Sequence, residues 1–338
     1  LDSALLLGTV IGAGLLTKSS ANFFWYLLPL TLLLVSWEKN KFQKTFITWM
    51  FLSFVVVIQS QIYNAILRLS EFRHIIGQKN LSFIYSVAEI LKNPFQGFWG
   101  NLSGLNSWLL AYMTVPLSIF ILIGIIWYLH KDIRKGLFFL GYFLIPYLAL
   151  ALFGKVIYPR FLLFMLPPLL LITAEFIVFL SRKIPSGYFL CTGLLLFVPT
   201  AYFIYLLLFN PIAAPLPLAD RQQLLNDWPS GYGIAEVVSY LDTESKNGPV
   251  VVGTEGTFGL FPMALELYLG KNVNVTFKAY WPLNEVPDEL KQSAKKQPTF
   301  LLFKERQTIP QDWPIELIQA YQRGDGPTYL KFFQVKAE

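Results

Sequence analysis

The sequence predicts a multi-span α-helical membrane domain followed by a small soluble α/β domain. Three observations carry this. Seven apolar stretches fill residues 1–209, and a bilayer core about 30 Å thick takes roughly 20 apolar residues per helix. A proline-rich break follows, with Pro211, Pro215 and Pro217 close together. Charge divides at the same place: residues 1–209 hold 15 Lys/Arg and 6 Asp/Glu, a net of +9, while residues 210–338 hold 12 and 15, a net of −3, which makes up the chain's +6. A hydrophobic fraction of 54% and a mean hydropathy of +0.49 are too high for an ordinary soluble chain.

The apolar stretches run over 3–16, 21–36, 43–66, 108–129, 136–153, 159–181 and 187–209. The first two are short and separated only by Thr17-Lys18-Ser19-Ser20, so they form a tight hairpin or one broken element. Short loops alternate in charge. Lys39, Lys41 and Lys44 stand in one, Lys131, Arg134 and Lys135 in a second, Arg182 and Lys183 in a third; loops of the other parity carry Lys18, or Lys155 with Arg160. The positive-inside rule then places the N-terminus and the basic loops in the cytoplasm. Lys18, residues 67–107, the 154–160 turn and the C-terminal domain lie outside. The expected location is the cell membrane, or the endoplasmic reticulum in a eukaryote. The chain opens Leu1-Asp2-Ser3 without a charged leader. This is read as an internal start, the chain being the C-terminal portion of a longer membrane protein.

Residues 67–107 are more than a loop. Ile84, Val87, Ala88 and Leu91 recur at helical spacing before Asn93-Pro94, and Phe95, Phe98, Trp99 and Trp108 follow. The segment reads as an amphipathic helix on the outer interface with aromatic anchors, or as a packed lid without lipid contact.

Residues 210–229 form a linker and 230–338 the α/β domain, about 110 residues and able to bury its own core. Helical spacing marks 234–241, 258–269, 288–296 and 315–323; strands are expected over 249–253, 273–277, 299–303 and 329–335. Ser230, in the turn Trp228-Pro229-Ser230-Gly231-Tyr232-Gly233, is a candidate helix cap. Glu255 follows the first strand, where α/β domains often bind ligands. Glu255 and Trp228 are candidate acceptor-side contacts; a solvated acid and a structural turn are the plainer alternatives.

Several chemistries are excluded. The chain's histidines are His74 and His130 alone, so the C-terminal domain has no Ser-His-Asp triad. No Gly-x-Gly-x-x-Gly, phosphate loop or Cys/His metal spacing occurs. No basic patch interleaved with aromatics points to nucleic acid. Cys191, the single cysteine, lies in an apolar stretch and is expected to be a buried, inert thiol. Asn80, Asn101 and Asn274 head Asn-x-Ser/Thr sequons, for which chance is the default.

Lys18, Lys155 and Arg160 lie in very short turns on the side of the soluble domain. Snorkelling to water is the plain reading. Clustered beside Tyr158, they also suit a lipid-linked phosphate, which Arg grips through two parallel hydrogen bonds and Lys meets as a point charge.

Two segments carry a resemblance. Gly14-Leu15-Leu16-Thr17-Lys18 resembles the Gly-Leu-Leu-Thr-Lys turn of the GT-C glycosyltransferases. Tyr158-Pro159-Arg160-Phe161-Leu162-Leu163, with Leu166-Pro167-Pro168-Leu169, resembles their Pro-Arg-Tyr-Leu-Leu-Pro-Leu-Leu-Pro-Pro-Leu segment. Within that superfamily the protein O-mannosyltransferase and aminoarabinose transferase branch looks most similar, over residues 1–209. The resemblance implies an integral membrane transferase, mannosyltransferase-like. It would pass a sugar from a polyprenyl-phosphate-linked donor to a protein, lipid or glycan acceptor on the outer face. Lys18 would contact the donor phosphate, Tyr158 and Arg160 would line the pocket, and Lys155 would neighbour it. Some members bridge phosphate and carboxylate with a divalent metal. The family's acidic base lies in a first outer loop, which in this layout precedes Leu1, so the fragment alone is expected to be inactive. Asp2 falls on the wrong side to replace it; Glu71 and Glu89 fall on the right side, in the outer segment. Phe161 stands where the family often has Tyr.

Two other readings compete. A transporter or flippase usually shows internal repeats and charges deep in its spans; no repeat is found here, and Glu175 is the main charge inside a span. A membrane-anchored, non-catalytic glycan- or peptide-binding protein is the other.

Overall fold

The computed structural model describes residues 1–71, 73–257 and 259–337, with the backbone alone at 39, 73, 75, 76, 79 and 80. The chain divides into two compact units, Leu1–Tyr202 and Phe203–Glu338.

The first unit is helical. Helix α1 (Asp2–Thr17) is followed by a run of short turns over Ser19–Leu34, broken by Pro29. Next come α2 (Phe42–Leu67), α3 (Arg73–Phe83), α4 (Val87–Lys92), α5 (Phe98–Met113), α6 (Val115–Lys131), α7 (Ile133–Phe153), α8 (Pro167–Ser181) and α9 (Ser186–Phe209), which runs on into the second unit. Three of these, α2, α7 and α9, are long and apolar enough to cross a membrane, and up to five spans result if each bent pair counts as one.

The seven apolar stretches are therefore not seven straight spans. The 16 residues of α1 rise only about 24 Å. The stretch expected at 108–129 bends by 106° between α5 and α6. Pro116 at the start of α6 cannot donate to the preceding turn, and its ring clashes there. Thr114 takes the corner at φ 61°, ψ 156°. The stretch at 159–181 begins as a 3₁₀ turn, Pro159–Met165, and bends by 58° into α8, where Pro167-Pro168 interrupts it.

Helices α1 and α2 touch through small residues. Ala4, Gly8 and Gly12 recur every four residues, so they share one face. A Cβ on Gly8 would stand 2.6 Å from that of Gln59, and one on Gly12 2.7 Å from that of Tyr63. Backbones this close maximise dispersion contact, the main attraction left between helices in lipid. A second core joins Leu105 (α5), Ile121 (α6), Phe143, Tyr147 and Ala151 (α7) to Leu162, Met165 and Leu169. Outward faces are apolar instead: Phe51 and Phe54 on α2, and Phe197 and Tyr205 on α9, are exposed, as lipid contact requires. Cys191 is exposed on α9, so the buried thiol expected from its apolar surroundings is corrected; the neighbours are other surface groups, not a core.

Residues 67–107 are not one helix. The pattern at 84–91 straddles an irregular stretch, and Ser86 caps α4 in a capping box with Glu89. Val87, Leu91, Phe95 and Trp99 are exposed there.

The second unit contains α10 (Ile234–Ser245), α11 (Met263–Leu269) and α12 (Asp288–Ala294) with five strands: β1 (Val250–Glu255), β2 (Val275–Tyr280), β3 (Thr299–Phe303), β4 (Ile315–Gln322) and β5 (Tyr329–Val335). The sheet order is β2-β1-β3-β5-β4; β1 pairs in parallel with β2 and β3, and β5 is antiparallel to β3 and β4. Val250 and Val252 face α10 and α11, while Val251 faces α12. A strand covered on both faces reads as an unbroken apolar run. Phe258, the first residue of the helix expected over 258–269, lies outside the described residues; the rest of that helix starts only at Met263, after Pro262.

The helix expected over 315–323 is strand β4. A bulge between Leu317 and Gln319 breaks the alternation. Ile315 packs on one face, and Ile318 and Tyr321 on the other. Their spacing of three imitates a helix. Ser230 is not a cap either: Gly233, at φ 84°, holds the N-cap position of α10, and the Ser230 Oγ is buried without a hydrogen-bond partner.

Candidate functional site

Lys18 closes α1. Its N–H donates to the Gly14 carbonyl at 2.8 Å, and the Thr17 hydroxyl donates to the same oxygen at 2.7 Å. The chain then turns to an extended Lys18 (φ −158°, ψ 135°), which lifts the side chain off the helix. Tyr158 is also extended, and Pro159 starts the 3₁₀ turn that carries Arg160 and Phe161. Ring stacking draws the two turns together: Phe23 lies 5.5 Å and Phe24 6.2 Å from Phe164.

The result is a pair of cations over aromatic rings. Lys18 Nζ is 4.6 Å from the centre of Phe161, Arg160 Cζ 5.7 Å from the same ring, and Arg160 Cζ 4.3 Å from that of Tyr158. Aromatic rings attract cations through the negative face of the ring. Both cations are exposed. No carboxylate lies within ion-pair reach of Lys18 among the described residues. Burial of its stem, and then the charge of Arg160, push the Lys18 ammonium below its usual pKa. Two like charges held in this way favour a multivalent anion. Three predicted residues, Lys18, Tyr158 and Arg160, are thus gathered, and Phe161, which in sequence differs from Tyr by a missing hydroxyl, supplies the shared ring.

Lys155 faces elsewhere. Its Nζ is 2.8 Å from Glu89 Oε1 and 5.2 Å from the centre of Tyr85. Glu89 is held by Lys155 and by the Ser86 N–H and hydroxyl, and its pKa falls to about 2. Such a carboxylate is a weak general base at neutral pH. Glu71 lies in the turn before α3 and Asp2 in the first turn of α1. The described residues include no group of three His, Cys, Asp or Glu side chains placed to hold a metal. Asn101 donates to the Ala151 and Gly154 carbonyls, and Asn274 to the Ser245 carbonyl, so both sequon amides serve internal bonds. The Asn80 side chain lies outside the described residues.

The second unit has its own cluster, at the C-terminal ends of the parallel strands. Lys304, just after β3, is 2% exposed, with Nζ 4.3 Å from the ring of Trp228 and 5.8 Å from that of Trp281, which follows β2. Glu255 is no solvated loop acid. It is 5% exposed, and its Oε2 accepts the N–H groups of Lys304, Glu305 and Arg306 at 2.8, 2.7 and 3.1 Å. Neither Lys304 nor Trp281 stood out in the sequence; the signal available was their position just beyond strand ends.

Compared with family models, curated proteins and solved structures, the chain matches none of them. The functional reading therefore rests on the geometry and on the motif resemblance.

Proposed function

We propose that this chain belongs to a membrane glycosyltransferase that moves a sugar from a polyprenyl-phosphate-linked donor to a protein, lipid or glycan acceptor. The observation that carries the reading is the convergence of Lys18 and Arg160, from the two motif segments, on the single ring of Phe161. In such a transfer the acceptor hydroxyl attacks the anomeric carbon and gives its proton to a general base, the bond from that carbon to the phosphate oxygen breaks, and the polyprenyl phosphate leaves with the electron pair. Charge grows on the departing phosphate. Lys18 and Arg160 stabilise it, Arg160 through parallel N–H donors and Lys18 as a point charge. Tyr158 and Phe161 orient the two cations. Lys155, held by Glu89, keeps the neighbouring turn in place.

The test is the affinity of the purified chain for a polyprenyl phosphate in detergent. Arg160→Ala is expected to weaken it by roughly tenfold or more, the worth of a charge-assisted pair. Unchanged affinity in Arg160→Ala and Lys18→Ala would overturn the phosphate assignment. One observation favours a second reading, a membrane-anchored glycan- or peptide-binding protein: Trp228 and Trp281 stand at the strand ends where α/β sheets take ligands. Loss of glycan binding in Trp228→Ala, with polyprenyl phosphate binding indifferent to Arg160, would favour it.

A further inference from the structure

At the other end of the membrane helices lies a cavity of about 580 Å³, lined by Trp127, Tyr128 and Lys131 of α6, Leu171 and Glu175 of α8, and Arg182 just beyond it, among others. Lys131 and Lys155 flank the two ends of α7, whose 21 residues span about 30 Å. The cavity is thus about a bilayer core away from the turn that carries Arg160. It owes nothing to the phosphate pair there.

We infer that this cavity holds the headgroup of an anionic phospholipid from the surrounding bilayer. Three features converge. The lining is basic: Lys131 and Arg182 stand in it against one carboxylate, that of Glu175. Within it the charges are partly committed, because Lys131 Nζ pairs with Glu175 Oε2 at 2.8 Å; outside it, Lys135 pairs with Asp132 at 3.2 Å. Among the described residues no carboxylate lies within ion-pair reach of Arg182, which lines the cavity and keeps its planar donors for a phosphate. The walls are apolar and open: Leu171 and Val178 are 57% and 52% exposed, and Phe179 stands beside them. A free phosphate gains nothing from such walls, whereas a lipid places its acyl chains along them. Trp127 then occupies the belt position that indole rings favour at the edge of the hydrocarbon. Lys131 packs on its ring at 4.8 Å, which aims the ammonium toward the rim.

Glu175 gives the proposal its sign. Its carboxylate draws Lys131 to itself, and the Tyr128 hydroxyl donates to its other oxygen at 3.4 Å. Glu175 therefore competes with a lipid phosphate for the same ammonium. Removing its charge releases Lys131 and strengthens anionic lipid binding; removing Arg182 weakens it.

The experiment titrates the delipidated full chain in detergent with phosphatidylglycerol or phosphatidylcholine and follows the first bound lipid by native mass spectrometry. Phosphatidylglycerol should bind more tightly than phosphatidylcholine. Arg182→Ala should weaken it by roughly fivefold, the usual worth of one basic residue at a lipid surface, Glu175→Gln should strengthen it, and Arg134→Ala, at the same end but outside the cavity, should leave it unchanged. Equal losses in Arg182→Ala and Arg134→Ala would mean diffuse surface charge only. Displacement of the lipid by inorganic phosphate would mean an anion site without a lipid. No preference between the two lipids, or an unchanged Glu175→Gln, would also overturn the proposal. Should Arg182→Ala fail to fold, Glu175→Gln carries the test.

Discussion

Glu89 and Lys155 lie 66 residues apart in sequence, and their side chains meet at 2.8 Å. The backbone beside them is paired as well: the Tyr85 N–H donates to the Phe153 carbonyl, the Lys155 N–H to the Phe83 carbonyl, and Ile84 bridges Gly154. An ion pair, a short antiparallel bridge and the Ser86 cap thus tie the segment before α5 to the end of α7.

The tie is pH-dependent. The hydrogen bond from Lys155, then those from Ser86, hold the Glu89 pKa at about 2 against an ordinary 4.5. A depressed carboxylate stabilises the fold above its ordinary pKa, and that contribution fades as pH falls from about 4.5 toward 2. Hydrogen exchange at the Tyr85 and Lys155 amides, corrected for intrinsic rates, is expected to speed up through that window, and Glu89→Gln to remove the pH dependence. A pH profile in Glu89→Gln that matches that of the unchanged protein would refute the link.

Lys18 reports on Arg160. Stem burial comes first and the Arg160 charge second in lowering its pKa. Arg160→Ala is therefore expected to raise it, so that acylation of the Lys18 amine at mildly alkaline pH slows. A phosphate bound to the pair shifts it the same way, and phosphate affinity should fall as rising pH strips the Lys18 proton.

Thr114 stores strain at the corner between α5 and α6. Its φ of 61° with ψ of 156° is a region that glycine tolerates, and its Oγ1 is buried without a partner. Thr114→Gly is expected to stabilise the protein by about 1 kcal/mol after the entropy of glycine is counted, read as a higher unfolding temperature in detergent.

Gly12 is set by contact. An added Cβ falls 2.7 Å from Tyr63 Cβ, an atom fixed to the α2 backbone. Gly12→Ala must push the two helices apart and should destabilise by roughly 1–3 kcal/mol. Gly193 on α9 has nothing within 4 Å of its own added Cβ, so Gly193→Ala serves as the tolerated control in the same thermal assay.

Glu255 holds the loop after β3. Glu255→Ala leaves three backbone N–H groups without their acceptor and should cost several kcal/mol, since each orphaned donor costs about 1–3. Glu255→Gln keeps a carbonyl acceptor and should lose much less. Denaturant unfolding of the second unit separates the two.

The sequence by itself determined which stretches are apolar enough for lipid and where the soluble elements begin. It determined the buried strands too: Val250–Val252 and Phe300–Phe303 are covered on both faces, so their residues are apolar without a gap. It misled at β4, where one bulged residue turned a period of two into a spacing of three, and at 108–129, where Pro116 outweighed an otherwise continuous apolar run. Tertiary structure alone decided the partners. Lys18, Lys155 and Arg160 look alike as short-turn cations; stacking at Phe164 brings Lys18 to Phe161, while the backbone bridge at Ile84 and Gly154 gives Lys155 to Glu89. Lys304 reached Trp228 and Trp281 because parallel pairing aligns the ends of β1, β2 and β3. Local sequence sets what a residue can bind, but the partner it meets depends on which distant turns the packing brings within a few ångströms.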